Sequence, residues 1–340
     1  MVREFRSLLP AALFLLTLSA AFAQNAAVSG RVIDASGALI PNADVELINK
    51  GTQVKLATRS NGEGIFIVPS VPPGTYEVVA RLTGFTTTRI ESVKFEVGQN
   101  RSLELTLNPG DIKQSINVTD EAPMLTTDRA DRGTVVENQF VTSIPLITRN
   151  PLLLVTMTAG AIGTTTPGSG LSAGDNTVSQ NQTNYFRING GRNRSSEIMI
   201  DGAADTGTYN NQASAIPQVD AVQEFKINTN PYDAEYGHTG GGTANVIMKG
   251  GTNTFHGSAY EFNQTSALAA SQFFTNAAGL KNPVTRYNQY GFTAGGPVWI
   301  PKVVNGKNRL FWFFGLEYIN DSFPEPLTTT VPTAAERNGD

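Results

Sequence analysis

Very few residues in this chain have the chemistry that catalysis needs. Its 340 residues include two histidines and no cysteine, which excludes thiol catalysis, disulfide bonds and cysteine-bound zinc. The stretch Gly170-Leu171-Ser172-Ala173-Gly174 matches the Gly-x-Ser-x-Gly pattern that can present a nucleophilic serine. That pattern requires a hydrophobic strand before it and a helix after it, whereas here it lies within a run of glycine, threonine and serine. We therefore predict that the chain is not an enzyme.

Two aspartates, Asp201 and Asp205, could bind a cation through their carboxylates. Aspartate is also common in turns, where it accepts hydrogen bonds from the nearby backbone, and this role fits the Asp-Gly pair at 201–202 better. No metal or other cofactor is predicted. The 25 basic and 29 acidic residues give a net charge of −4, so the chain lacks the basic surface that nucleic acids require.

The composition indicates β-structure. Charged residues make up 16% of the chain, against about 25% in an ordinary soluble domain. The 33 glycines, together with many threonines and asparagines, favour strands that are joined by polar loops. We therefore predict a mainly β fold.

Residues 1–23 have the pattern of a secretory signal peptide. Two arginines precede an apolar stretch at 8–18, and Ala21-Phe22-Ala23 supplies small residues for cleavage between Ala23 and Gln24. The apolar stretch of about 11 residues is too short to span a bilayer, which needs about 20. The chain is therefore predicted to be exported, and any membrane-spanning part must be built from β-strands.

Residues 24–108 contain short segments in which apolar and polar residues alternate. Examples are Val28–Asp34, Val45–Ile48 and Tyr76–Ala80, and turn residues such as Asn61-Gly62 separate them. Short strands at a spacing of about ten residues are typical of an antiparallel β-sandwich. We predict that fold for this segment.

Four motifs run through the same segment. They are Val28-x-Gly30-x-Val32-x-Asp34, Pro41-x-Ala43-x-Val45, Ser60-Asn61-Gly62-x-Gly64-x-Phe66 and Pro72-Pro73-Gly74-x-Tyr76. Together they resemble the carboxypeptidase regulatory-like (transthyretin-like) domain. Despite its name, the resemblance implies no peptidase, because residues 24–108 contain no histidine that could bind zinc. It implies a periplasmic spacer or interaction module, or a surface that binds sugar.

Residues 109–130 form a predicted linker that contains one strand. Its residues, which alternate between polar and apolar, are Gln114, Ser115, Ile116, Asn117, Val118 and Thr119. A strand outside any domain has open hydrogen-bonding groups on both edges, so a partner can capture it by β-augmentation. A strand of this kind resembles the TonB box of TonB-dependent outer-membrane receptors, which implies that periplasmic TonB is the partner.

Residues 131–250 carry the most specific motifs. Two groups follow in chain order: Asn189, Gly190, Arg192, Asp201 and Gly202, then Tyr236, Gly237, Gly241, Gly242 and Asn245. With the strands around them, they resemble the plug domain of TonB-dependent receptors in its Oar-like form. One departure is Ile147-Thr148, where that family usually has Asn-Gly. The resemblance implies an α+β plug domain.

Residues 251–340 are similar to the start of an outer-membrane β-barrel. One face of a predicted strand at 309–320 consists of Leu310, Trp312, Phe314, Leu316 and Tyr318, and its other face is also largely apolar. Such a strand fits a position with lipid on one side and a plug on the other. These roughly 90 residues provide only three or four spanning strands. We therefore expect an incomplete barrel, with the chain as the N-terminal part of a longer receptor.

The resemblance implies a receptor in the Gram-negative outer membrane that is gated by its substrate and energised by TonB. Its partners are then TonB, outer-membrane lipid and a substrate that could be a small molecule, a glycan or a peptide. The polar stretches Gly163–Thr183 and Ala203–Ala215 are predicted to face that substrate. The alternative is a cell-surface adhesin or scaffold that binds sugar or protein through the sandwich without transport.

Overall fold

The structure is a computed structural model. It describes residues 25–110, 115–118, 132–143, 149–163, 186–192, 194–208, 211, 213–230, 239–271, 273–281, 284, 286–322 and 331–339. These residues are mainly in β-strands, which confirms the predicted class. No helix among them is both long and apolar enough to cross a membrane. Some predictions fall outside these residues: the cleavage site at Ala23 and Gln24, the serine motif at 170–174, and Gln114, Thr119, Tyr236 and Gly237.

Eight strands form two sheets in the first part of the chain, called the sandwich below. They are β1 (Ala26–Asp34), β2 (Asp44–Asn49), β3 (Lys55–Arg59), β4 (Ile65–Val71), β5 (Gly74–Arg81), β6 (Thr87–Phe95), β7 (Asn100–Leu107) and β8 (Ser115–Val118). One sheet has the order β4-β1-β7 and the other has the order β3-β2-β5-β6-β8. The sequence predicted antiparallel sheets throughout. This is wrong for two pairs, β1–β7 and β6–β8, which are parallel.

The apolar residues of both sheets pack into one core. Its largest fully buried side chains are Tyr76, Phe66, Phe95, Leu47, Leu105 and Leu107. Burial alternates along β1 and β2, as the two-residue period of a strand requires. At Gly30 in β1, a Cβ atom would lie 2.1 Å from the carbonyl oxygen of Leu103 and 2.6 Å from the Phe66 ring. Only glycine lets the strand and the ring approach this closely.

Seven strands and a short helix occupy residues 132–248. They are β9 (Arg132–Glu137), α1 (Asn138–Ser143), β10 (Ala161–Gly163), β11 (Phe186–Ile188), β12 (Glu197–Ile200), β13 (Ala203–Ala204), β14 (Val222–Asn230) and β15 (Thr243–Met248), with 3₁₀ helices at Pro151–Met157 and Val219–Ala221. Five of the strands form a sheet of order β13-β12-β15-β14-β9, called the plug sheet below, and β10 pairs with β11. β9 is an edge strand whose described neighbour is β14.

The two faces of the plug sheet differ in polarity. Phe225 and Ile227 of β14 are fully buried in a second core, together with Val246 of β15 and the apolar residues of the 3₁₀ helix at 151–157. Glu224 and Lys226 alternate with them on the opposite face and are also buried. Burial of charged groups requires compensating hydrogen bonds, so this face needs polar neighbours.

Residues 256–337 form a third group of elements. They are β16 (His256–Thr265), a 3₁₀ helix (Ser266–Leu268), α2 (Phe273–Ala277), β17 (Arg286–Pro297), β18 (Trp299–Ile300), β19 (Val304–Asn305), β20 (Phe311–Ser322) and α3 (Ala334–Arg337). β16, β17 and β20 form one sheet in that order, and β18 pairs with β19. The predicted apolar face of β20 is exposed, with about half of the surface of Phe314, Leu316 and Tyr318 accessible to solvent.

Contacts group the described residues into two compact units. The first comprises those within 1–164, 180–258 and 293–315, and so includes the sandwich and the plug sheet. The second comprises those within 259–292 and 316–340. In the second unit, the Tyr260 hydroxyl donates a hydrogen bond of 2.6 Å to Glu317, which joins β16 to β20.

Candidate functional site: the strand β8 and the plug sheet

The strand β8 lies at the edge of the five-stranded sheet of the sandwich. Ser115, Ile116, Asn117 and Val118 pair in parallel with Thr87, Thr88, Arg89 and Ile90 of β6. The prediction that this segment is a strand is therefore confirmed, but the prediction that both of its edges are open is wrong. One edge is bonded to β6, and the strand order of the described residues ends at β8.

The Asp201-Gly202 pair forms the tight turn between β12 and β13. Both residues adopt positive φ angles, 49° at Asp201 and 78° at Gly202, a conformation that favours glycine and tolerates aspartate. The Asp201 carboxylate accepts a hydrogen bond of 2.9 Å from the backbone N–H of Met248. The Asn245 side chain accepts one of 3.2 Å from the N–H of Gly202. The structure thus brings these three predicted residues together.

The burial of the Asp201 carboxyl raises its pKa, and the hydrogen bond from Met248 partly opposes that shift. Asp205 is also engaged, because its carboxylate accepts a hydrogen bond of 3.1 Å from the N–H of Ala215. Among the described residues, no three histidine, aspartate or glutamate side chains are grouped so that they could hold a metal ion. Both aspartates accept backbone hydrogen bonds that fix the turns around them.

The remaining described residues of the predicted plug motifs form turns and close backbone contacts. Asn189 (φ 51°) and Gly190 (φ 73°) form a turn after β11, and the Asn189 amide donates a hydrogen bond of 2.6 Å to the carbonyl of Thr229. A Cβ atom on Gly242 would lie 2.4 Å from the Asn228 carbonyl oxygen, and one on Gly241 would lie 2.8 Å from Ser196 Oγ. The Arg192 carbonyl accepts a hydrogen bond of 2.8 Å from the Ser195 hydroxyl.

A buried charge cluster among residues 149–249 was not predicted from the sequence. The Arg149 guanidinium forms an ion pair with the Asp220 carboxylate, and their side chains are 13% and 18% exposed. The Lys249 ammonium donates a hydrogen bond of 2.8 Å to the Asp220 carbonyl. Burial lowers the pKa of Lys249, and the negative charge of Asp220 partly opposes that shift. The residues are distant in sequence, so no local pattern indicates their contact.

Two charged residues of β14 contact the sandwich, and neither was predicted. The Glu224 carboxylate accepts a hydrogen bond of 2.6 Å from the backbone N–H of Val97, and the Lys226 ammonium donates one of 3.2 Å to the carbonyl of Gly98. Glu224 is 3% exposed. Its burial raises its pKa to about 7, an effect increased by Glu96 and opposed by the Val97 hydrogen bond, Lys94 and Lys226.

Comparison with known proteins identifies two regions of the chain. Residues 27–108 match the carboxypeptidase regulatory-like domain, and residues 247–340 match an outer membrane beta barrel domain. Over 304 residues the chain is 24% identical to the TonB-dependent transporter Oar of Myxococcus xanthus. Over most of its length the chain is therefore similar to a TonB-dependent transporter of the Oar type. The predicted location in the Gram-negative outer membrane is confirmed.

The match to Oar covers 87% of this chain and 27% of that transporter, so the chain spans about a quarter of its relative. Among solved structures, the siderophore receptor PirA from Acinetobacter baumannii is 19% identical, with a TM-score of 0.36 over 56% of this chain and 24% of PirA. The Bacillus anthracis TIE protein is 16% identical, with a TM-score of 0.22 over 25% of this chain and 17% of that protein.

Proposed function

We propose that this chain supplies the sandwich, the plug and the first barrel strands of a receptor that is gated by its substrate and energised by TonB. The observation that carries the proposal is the strand β8. It is extended, its described neighbour is β6 alone, and it precedes the plug sheet in the chain. The relationship to a TonB-dependent transporter supports TonB as the partner of this strand.

In this proposal TonB pairs with the open edge of β8 by β-augmentation. The 13 residues at 119–131 join β8 to β9 and reach at most about 45 Å when fully extended. A pull on β8 therefore arrives at Arg132, the first residue of β9. β9 is an edge strand that pairs with β14. To separate β9 from the plug sheet, only the hydrogen bonds between these two strands must break. Displacement of the plug begins at this edge.

The same proposal assigns the predicted segments to their roles. Residues 1–23 are the signal peptide, 24–108 the sandwich, 109–130 the linker with the TonB box, 131–250 the plug and 251–340 the start of the barrel. The stretches Gly163–Thr183 and Ala203–Ala215 face the substrate, and the exposed apolar face of β20 contacts lipid. The receptor binds and transports without catalysis, as the relationship to a transporter supports.

The test is the binding of the purified C-terminal domain of TonB to variants of β8. Successive N–H groups of a strand point to opposite edges, so the double variant Ile116→Pro/Asn117→Pro removes one donor from each edge. Proline removes a ladder hydrogen bond and is found in sheets only at edges or bulges. We expect the TonB affinity to fall at least tenfold, measured by isothermal titration calorimetry.

The matched control is Ile116→Val/Asn117→Thr, which keeps both N–H groups and uses residues that favour strands. It should bind TonB within a factor of about two of the unchanged protein. Equal TonB binding by the proline and control variants would show that β8 is not the TonB box. An absence of TonB binding by the unchanged protein would favour the alternative, an adhesin or scaffold that works without transport.

A further inference from the structure

Backbone contacts hold the segment before β8 close to the start of β6. After β7, the carbonyl of Asn108 accepts a hydrogen bond of 2.8 Å from the N–H of Thr86, and the N–H of Gly110 donates one of 3.1 Å to the carbonyl of Gly84. Pro109 also bridges to Phe85. Residues 108–110 are thus tied to the segment that immediately precedes β6, and the chain then continues as β8 beside Thr87–Ile90.

We propose that the sandwich presents the TonB box, because β6 holds β8 extended while a strand of TonB adds to the open edge of β8 as the next strand of the five-stranded sheet. This inference rests on the proposed function and goes beyond it. It assigns a function to the sandwich, whose five-stranded sheet becomes part of the TonB-binding surface.

The physical reason is preorganisation. A disordered segment that is captured as a strand loses backbone entropy at each residue it orders, and this loss weakens binding. β8 already follows an extended path on β6, so part of that loss has occurred before TonB arrives. TonB then meets a strand that is bonded to β6 on one edge and, among the described residues, has no neighbour on the other, which is the geometry that strand addition requires.

The test is a disulfide that holds β8 on β6. The chain has no cysteine, so Thr87→Cys/Ser115→Cys contains only the two new thiols. Thr87 and Ser115 are paired across the strands, and neighbouring strands lie about 4.8 Å apart, within the Cα separation that a disulfide tolerates. Both changes nearly preserve side-chain volume. TonB binding to the oxidised and reduced protein is then compared, after disulfide formation has been checked on a non-reducing gel.

We expect the oxidised form to bind the TonB C-terminal domain at least as tightly as the reduced form. The ratio of the TonB affinity of the oxidised form to that of the reduced form equals the inverse of the fraction of time that β8 spends on β6 in the reduced protein. It is about twofold if that fraction is a half and about tenfold if it is a tenth. Slowed hydrogen exchange of the alternate amides within 115–118 whose N–H groups point towards β6 would accompany this result.

The matched control places a disulfide at the other edge of the same sheet. Asp44→Cys/Arg59→Cys joins a register pair of β2 and β3, far from β8 in strand order, and should leave TonB affinity unchanged on oxidation. Weaker TonB binding by oxidised Thr87→Cys/Ser115→Cys, with normal binding after reduction, would overturn the inference and show that TonB requires release of β8 from β6. If neither form binds TonB, the proposed function itself fails.

Discussion

Replacing Gly30 with valine is expected to lower the free energy of unfolding of the sandwich by about 3 kcal/mol. Gly30 lies in β1, the central strand of the sheet β4-β1-β7. A Cβ atom there would overlap the carbonyl oxygen of Leu103 on one side and the Phe66 ring on the other. The backbone of β7 cannot move away without breaking its parallel pairing with β1, so the added side chain must separate the strands.

Urea denaturation of the purified chain measures this loss. The control is Gly62→Ala, because nothing lies within 4 Å of a Cβ atom built at Gly62, and its stability should stay within about 0.5 kcal/mol of the unchanged protein. If Gly30→Val unfolds at the same urea concentration as Gly62→Ala, the close approach of β1, β7 and Phe66 is not a feature of the folded sandwich.

Raising the pH from 5 to 8 is expected to weaken the contact between the sandwich and β14 by a factor of roughly 70. The pKa of Glu224 is raised from 4.5 to about 7 in the contact, chiefly by burial. A raised carboxyl pKa means that the contact binds a proton more tightly than the separated surfaces do. The stabilisation is therefore complete below about pH 4.5 and is lost as the pH rises through about 7.

Hydrogen exchange at the Val97 amide reports this contact directly, because that N–H donates to Glu224. After correction for the intrinsic pH dependence of exchange, its protection should fall between pH 5 and pH 8. Glu224→Gln keeps a hydrogen-bond acceptor but cannot ionise, so the protection should become nearly independent of pH. Glu96→Gln, in the same loop, should keep most of the pH dependence. A pH-dependent response in Glu224→Gln would show that another group is responsible.

The parts of the fold that could be predicted from sequence are those that depend on local pattern. Alternation in segments such as Val45–Ile48 indicates strands, and the Asp201-Gly202 pair indicates a turn. The strand at Ser115–Val118 was predicted on the same basis. Its pairing with β6 was not, because that depends on hydrogen bonds that tie residues 108–110 beside residues 84–86.

The candidate site was less predictable because its contacts join residues that are far apart in the chain. Arg149 and Asp220 are 71 residues apart, and Val97 and Glu224 are 127 apart. The alternation of Glu224 and Lys226 with Phe225 shows that the two charged side chains share one face of β14, but such a face is usually solvated. This face of β14 is buried because it contacts the sandwich. Neither the local sequence of β14 nor that of the loop at 96–99 indicates this contact.

The position of β1 has a consequence for the order in which the sandwich can fold. β1 is the first strand of the sheet, yet its two neighbours, β4 and β7, begin at Ile65 and Asn100. Both pairings close long loops, and non-local pairing of this kind slows folding. β8 cannot pair in its native register until β7 has taken its place and brought residues 108–110 to the start of β6. β8 is therefore expected to reach its native register after the other strands of the sandwich, and in the proposed function the surface that binds TonB forms only once the sandwich is complete.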